Sequence, residues 1–121
     1  MGPLATKQAE FAIAHAKWIV WVYEQGWRIT KSEGYVGDTD ARDGDHDGPH
    51  MRGGNHYTRL AEDDNLWALR DGVWTLLSRG DEPEWSWAGA KWLTMHPSAR
   101  WGGNFSRPDA NHISFEHEGR Q

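Results

Sequence analysis

Leu60-Ala61-Glu62-Asp63-Asp64-Asn65-Leu66-Trp67, then the pair Asp71-Gly72, then Val73-Trp74-Thr75-Leu76-Leu77, carries the clearest strand signal in the chain. The first run reads as a strand. Asp-Gly is a turn pair that accepts the positive φ of a tight hairpin, and the second apolar segment is placed to return beside the first. Side chains alternate along a strand, so Ala61, Asp63 and Asn65 share one face. That face carries a carboxylate, and the small Ala61 leaves room beside it for a metal or a substrate.

Working outward, residues 4 to 25 read as an amphipathic helix. Leu4, Phe11, Ala14 or His15, Trp18, Ile19 and Val22 recur at three- and four-residue steps, and Gly26 is a natural stop. His15 lies on that stripe and reads as a hydrogen-bonded core histidine. Trp27-Arg-Ile-Thr-Lys31 alternates as a short strand. A second helix is expected to start around Asp81 to Pro83, with Asp81 as cap and Pro83 in the first turn. Its buried face would be Trp85, Ala88, Trp92 and Met95, and Pro97 closes it. Trp101-Gly-Gly-Asn-Phe105 is a turn-rich approach to a last strand, His112-Ile-Ser-Phe-Glu-His117. The pattern predicts an α+β fold, with two main helices packed on a small, largely antiparallel sheet. Between the elements, residues 34 to 55 are rich in Gly, Asp and His and poor in aliphatics, which reads as a long loop.

Size and charge narrow the function. A chain of 121 residues is expected to form a single domain over 1–121, with no room for a separate folded binding module. A net charge of −5 gives no basic field for nucleic acid or anionic lipid. With no Cys, a metal would have to be held by His and carboxylates. The first residues lack the basic and apolar regions of a signal peptide. The apolar run Phe11 to Tyr23 is broken by His15 and Lys17 and is too short to span a bilayer, so no membrane anchor is expected. Nine Trp is many for this length; helical spacing assigns most of them to the core, although a Trp-rich surface also suits sugars.

The residues with chemistry to offer come in two groups. His56 and Asp63 stand seven apart, and Asp109-Ala-Asn-His112 opens the last strand. Two imidazoles and one carboxylate can hold zinc with one position open. Asp109, in the turn before His112, could then serve as general base to the water bound there and pass its proton to a leaving amine. Taken alone, a His and an Asp at this spacing are also compatible with chance.

The wider context carries a family resemblance. Gly53-Gly-Asn-His56-Tyr-Thr-Arg-Leu-Ala61-Glu-Asp63-Asp-Asn-Leu66 resembles the SxHxxGxAxD motif of the LAS zinc peptidases. These comprise D-alanyl-D-alanine carboxypeptidases and dipeptidases and the L-alanyl-D-glutamate endopeptidases of phage endolysins. His96-Pro-Ser-Ala-Arg-Trp101-Gly-Gly-Asn-Phe-Ser-Arg-Pro-Asp109-Ala-Asn-His112 resembles the RWGGxF…DxxH ending of the small phage members. The resemblance implies that His56, Asp63 and His112 ligate zinc, that Asp109 is the catalytic acid/base, and that the partner is the peptide stem of peptidoglycan. It further implies a monomeric endolysin made in the host cytoplasm and reaching the wall by holin-type release. The chain departs from the pattern with Gly54 for Ser, Arg59 for Gly, and Val36 where many members have an Arg that polarises the scissile carbonyl. Arg28, Arg42 or Arg52 would then have to substitute.

Asp43-Gly-Asp45-His-Asp47-Gly48 matches the first half of a calcium loop, with Gly54 where its last Glu is expected, so Ca2+ is a second candidate ion at Asp43, Asp45 and Asp47. His46 and His50 read as loop residues, and His96 and His117 as structural or surface ones. Glu116 would share a strand face with His112. Three function classes follow: an L-alanyl-D-glutamate endopeptidase or D-alanyl-D-alanine carboxypeptidase; a catalytically silent cell-wall-binding or virion protein using the Trp-rich surface; and an HNH-like nuclease on His50, Asn55 and His56, which the acidic charge disfavours.

Overall fold

The computed structural model describes residues 1–32 and 58–121. Among them are helix α1 (Pro3–Glu24), strand β1 (Arg28–Lys31), strand β2 (Ala61–Arg70) and strand β3 (Val73–Leu76). Helix α2 (Pro83–Leu93), strand β4 (Ala99–Trp101), a 3-10 turn (Gly102–Asn104) and strand β5 (His112–Phe115) follow. All the strand pairings are antiparallel, and the fold is α+β, as the hairpin and the two amphipathic stretches predict.

Strand β2 organises the sheet. It pairs with β1 along one edge, Lys31 opposite Asp64 and Arg28 opposite Trp67. Along its other edge two strands follow end to end: β5 against Ala61–Asp63 and β3 against Trp67–Arg70. Strand β4 extends the sheet beyond β5. Asp71 and Gly72 both have positive φ, 53° and 78°, which is what a two-residue hairpin turn requires of its central residues.

Some boundaries differ from the sequence reading, each for a local reason. Strand β2 runs on to Arg70 because the turn sits directly after it. Glu82, not Asp81, is the N-cap of α2. A residue before proline is driven to extended backbone, so Glu82 adopts ψ 143° and the helix begins at Pro83. The Glu82 carboxylate accepts hydrogen bonds from the backbone N–H of Arg79 and Gly80, while Asp81 pairs with Arg79. Helix α2 ends at Leu93, four residues before Pro97, whose missing N–H could not have bonded to the Leu93 carbonyl. Strand β4, with Arg100 at its centre, falls between the closing Pro97 and the Trp101–Phe105 turn, where the sequence reading places no strand.

The core lies between the helices and the sheet. Trp18, Trp85 and Trp92 are at most 1% exposed and are joined by Phe11, Val22, Leu60, Leu66, Ile113 and Phe115. Buried indole N–H groups need acceptors, and each finds a backbone carbonyl that ties two elements together. Trp18 donates to Ala88 O, Trp85 to Leu77 O, and Trp92 to both Arg100 O and Ser114 O. Trp101 belongs to the same core, and Trp21 and Trp27 pack against it from its margin, so six of the nine tryptophans are core or core-flanking. Among the described residues no helix is long and apolar enough to cross a membrane.

Inside this core sits one fully buried carboxylate, Asp64. His15 Nε2 of α1 lies 2.6 Å from its Oδ2, and Lys31 Nζ of β1 donates to its Oδ1 at 2.8 Å. A buried charge is tolerated only when paired and hydrogen-bonded. Here the pairing ties helix, edge strand and central strand at one point, and His15 is the hydrogen-bonded core histidine that its position predicts.

Candidate metal centre

Asp63 follows the opposite parity from Asp64 and emerges on the other face of β2. It stands directly across the ladder from His112. The Asp64 N–H donates to Asn111 O at 2.9 Å, which makes 64/111 the hydrogen-bonded pair and 63/112 the non-hydrogen-bonded one. Side chains of a non-hydrogen-bonded antiparallel pair lie closer together. Accordingly His112 Nδ1 is 3.6 Å from Asp63 Oδ1.

Asp109 reaches the same point from the turn before β5. The His112 N–H donates to Asp109 O at 3.0 Å, closing Asp109-Ala-Asn-His112 into a tight turn. Ligand atoms of Asp63, Asp109 and His112 all lie within 4.8 Å of one another. Ligands of a tetrahedral zinc at 2.0–2.2 Å stand roughly 3.4 Å apart, so small side-chain rotations suffice to bring these onto one ion. His112 is buried, Asp63 half-buried and Asp109 exposed, giving a site closed on one side and open on the other.

The imidazole of His112 is oriented for ligation. Its Nε2 lies 3.0 Å from Gln121 O. That oxygen only accepts, so the Nε2–H tautomer satisfies this contact and leaves Nδ1 as the nitrogen turned towards Asp63. Metal-binding histidines are commonly oriented by a carbonyl or carboxylate oxygen on the far nitrogen. The Phe105 ring lies 5.4 Å from the imidazole, centre to centre. Glu116 is engaged elsewhere, accepting the Gly119 N–H.

The Trp-Gly-Gly run explains how the Asp109 turn is held. The Trp101 indole lies against both Gly89 of α2 and Gly103, where any Cβ would strike its ring. Its Nε1 donates to Ala110 O at 2.7 Å. Gly102 O accepts the N–H groups of Phe105 and Asp109, and a Cβ on Gly102 would collide with the Asp109 carbonyl. Two glycines after a tryptophan were the visible signal. What they do, clamping the Asp109 turn against α2, depends on the position of Gly89 and was not readable from their own stretch.

The structure thus brings together Asp63, Asp109 and His112, three of the four residues proposed from sequence. His56 lies outside the described residues. So do Val36, Arg42, Arg52 and the calcium candidates Asp43, Asp45 and Asp47. Arg28 is committed elsewhere: its guanidinium sits 4.9 Å from the ring centres of both Tyr23 and Trp74. It also stands four positions along the β1–β2 ladder from the Asp63 end.

The core-flanking Trp21 and Trp27 also take part in a separate feature with Trp87. Trp21, Trp27 and Trp87 line a groove of about 510 Å³ between the end of α1 and α2, with Gln25, Lys91 and Thr94 at its edges. Trp27 and Trp87 stack at 6.0 Å, and Trp87 is 57% exposed.

No family model matches the chain, and no curated protein matches it.

Proposed function

We propose that this protein is a zinc-dependent peptidase of the peptidoglycan stem peptide, most simply an L-alanyl-D-glutamate endopeptidase acting as a phage endolysin. The observation that carries the reading is the convergence of Asp63, Asp109 and His112 within 4.8 Å, at the positions that the LAS-like motifs assign to two ligands and the acid/base. The donor set fits zinc: imidazole and carboxylate are its usual ligands where Cys is absent. Asp63 and His112, with His56 as the third, would hold the ion. Bound zinc supplies Lewis acidity, drawing the pKa of a coordinated water towards neutrality and polarising a carbonyl.

The chain's own residues do the rest. Asp109 is the exposed carboxylate of the group and can accept a proton from the attacking water and deliver it to the departing amine. The turn clamped by Trp101 and Gly102 fixes its distance from Asp63 and His112. Nε2 of His112 faces Gln121 O, away from the site, so Nδ1 is the nitrogen placed to act as a ligand. A soluble enzyme acting on the wall after holin-type release requires no basic surface, consistent with the net charge of −5.

Mass spectrometry of digested peptidoglycan tests the proposal. New amino-terminal D-Glu is expected. Released D-Ala would select the carboxypeptidase instead. The Trp21/Trp27/Trp87 groove favours a second reading, a wall-binding protein without catalysis. Retention on sacculi with no new amino terminus would select that one.

A further inference from the structure

On the other edge of β2 the sheet divides. Strand β5 covers Ala61–Asp63 and β3 covers Trp67–Arg70, leaving the edge between them open beside Asn65. A cleft of about 270 Å³ occupies the division. Trp85, a core residue, lies at its base, and its walls come from two connections: Ser78 and Arg79 from the one between β3 and α2, Asp109 and Asn111 from the one before β5. These connections touch. Gly80, at φ 87°, approaches so closely that a Cβ there would lie 3.1 Å from Ala110 Cβ. Arg79 and Asp109 therefore each stand one residue from the same contact.

The polar groups of this cleft are side-chain amides, a hydroxyl, a cation and, at its margin, the Asp109 carboxylate already assigned to the ion site. Asn65 projects on the face of β2 that carries Asp63, two residues further along. The side chains of Asn65, Ser78 and Asn111 make no hydrogen bond within the described residues, so amide and hydroxyl groups remain for a ligand. Arg79 is the cation. Its guanidinium pairs with Asp81 at 2.8 Å, with both side chains well exposed, 77% and 65%. Such a pair exchanges readily for a better-placed carboxylate. Side-chain amides pair with peptide backbone, and guanidinium pairs bidentately with carboxylate.

We infer that this cleft is the subsite for the part of the substrate on the amine side of the cleaved bond, and that Arg79 selects a free carboxylate there. The ligand class is a short peptide whose first residue keeps an unamidated carboxylate next to its amino group, as D-Glu does when joined onward through its side chain. This inference rests on the peptidase reading for the identity of the ligand but not for the cleft itself. Arg79 is a specificity residue: it carries no proton in the reaction.

Titration calorimetry with two probes tests it: γ-D-glutamyl-L-lysine with the D-Glu α-carboxylate free, and the same compound with that group as amide. The free acid is expected to bind the intact protein about tenfold more tightly than the amide, as one charge-assisted contact in a partly exposed site would give. Arg79→Gln should erase that preference while leaving amide binding unchanged. Asp81→Asn should keep or increase it, because Arg79 loses its competing partner. Equal binding of acid and amide, no binding of either, or a preference that survives in Arg79→Gln would overturn the inference. Cleavage of whole peptidoglycan by the same preparation is read separately. Acid preference without cleavage leaves the subsite standing and removes the peptidase reading.

Discussion

Asp63 and Asp64 are neighbours on one strand, with the same charge and nearly the same backbone, and the fold uses them in opposite ways. Asp64 points into the core, where His15 and Lys31 meet its two oxygens at 2.6 and 2.8 Å and no solvent reaches it. Asp63 points away from that core to a half-open face, across the ladder from His112 and close to Asp109. The pleat alone separates them. A carboxylate whose oxygens are both taken by cationic or hydrogen-bonding partners in the core is a structural tie. One that shares an open face with an imidazole and a second carboxylate has the donor set of an ion site around it. The chemistry lies in the surroundings, and a one-residue slip in register would exchange the roles.

The comparison can be broken by exchanging expectations between the two faces. On the open face, Asp109→Ala should lower the rate of stem-peptide cleavage about 10²- to 10⁴-fold, the usual worth of a general acid/base. Its unfolding midpoint should not move, since the side chain is exposed. Peptidoglycan digestion and denaturation on one preparation check both statements, and full activity in this variant would remove Asp109 from the mechanism. On the closed face the pattern should invert. Asp64→Ala leaves His15 and Lys31 facing an empty site and should cost about 3–5 kcal/mol of stability in urea denaturation. Zinc content of the fraction still folded should be preserved.

Gly102→Ala probes the link between the faces. Its Cβ would meet the Asp109 carbonyl, so the turn must shift, at a cost of about 1–3 kcal/mol as for other overpacking changes. Activity should fall further than stability explains. The smallest effect is expected far from both aspartates. The Arg70 guanidinium donates to both oxygens of Glu84 at 2.6 and 2.9 Å, holding that carboxyl below its ordinary value of 4.5. A depressed folded value stabilises the fold above the unfolded value and loses that contribution as pH falls through the folded one. Acid titration of stability should therefore be shallower in Glu84→Gln than in the parent, and an unchanged acid limb would contradict the assignment.

How much of this was legible in the sequence follows from the same contrast. Strand alternation placed Asp63 on a face with Ala61 and Asn65, and the Asp-Gly turn and helical stripes supplied the architecture, because those signals are local and strongly periodic. Strand β4 escaped because it is three residues long with Arg100 at its centre. The role of Asp64 was not legible either. Its partners lie 49 and 33 residues away in the chain, and nothing in Glu62-Asp63-Asp64-Asn65 marks one carboxylate as core. The Asp109 turn was legible as a turn. Its clamp was not, because that requires Gly89 of α2 to meet Trp101.

Metal content by mass spectrometry, after equilibration with zinc and gel filtration of the parent and three variants, separates an ion site on the Asp63 face from a mere cluster of side chains. One zinc per chain is expected in the parent and in Asp109→Ala, and none in Asp63→Ala or His112→Ala. Zinc retained at full stoichiometry in Asp63→Ala, or absent from the parent, would contradict the account.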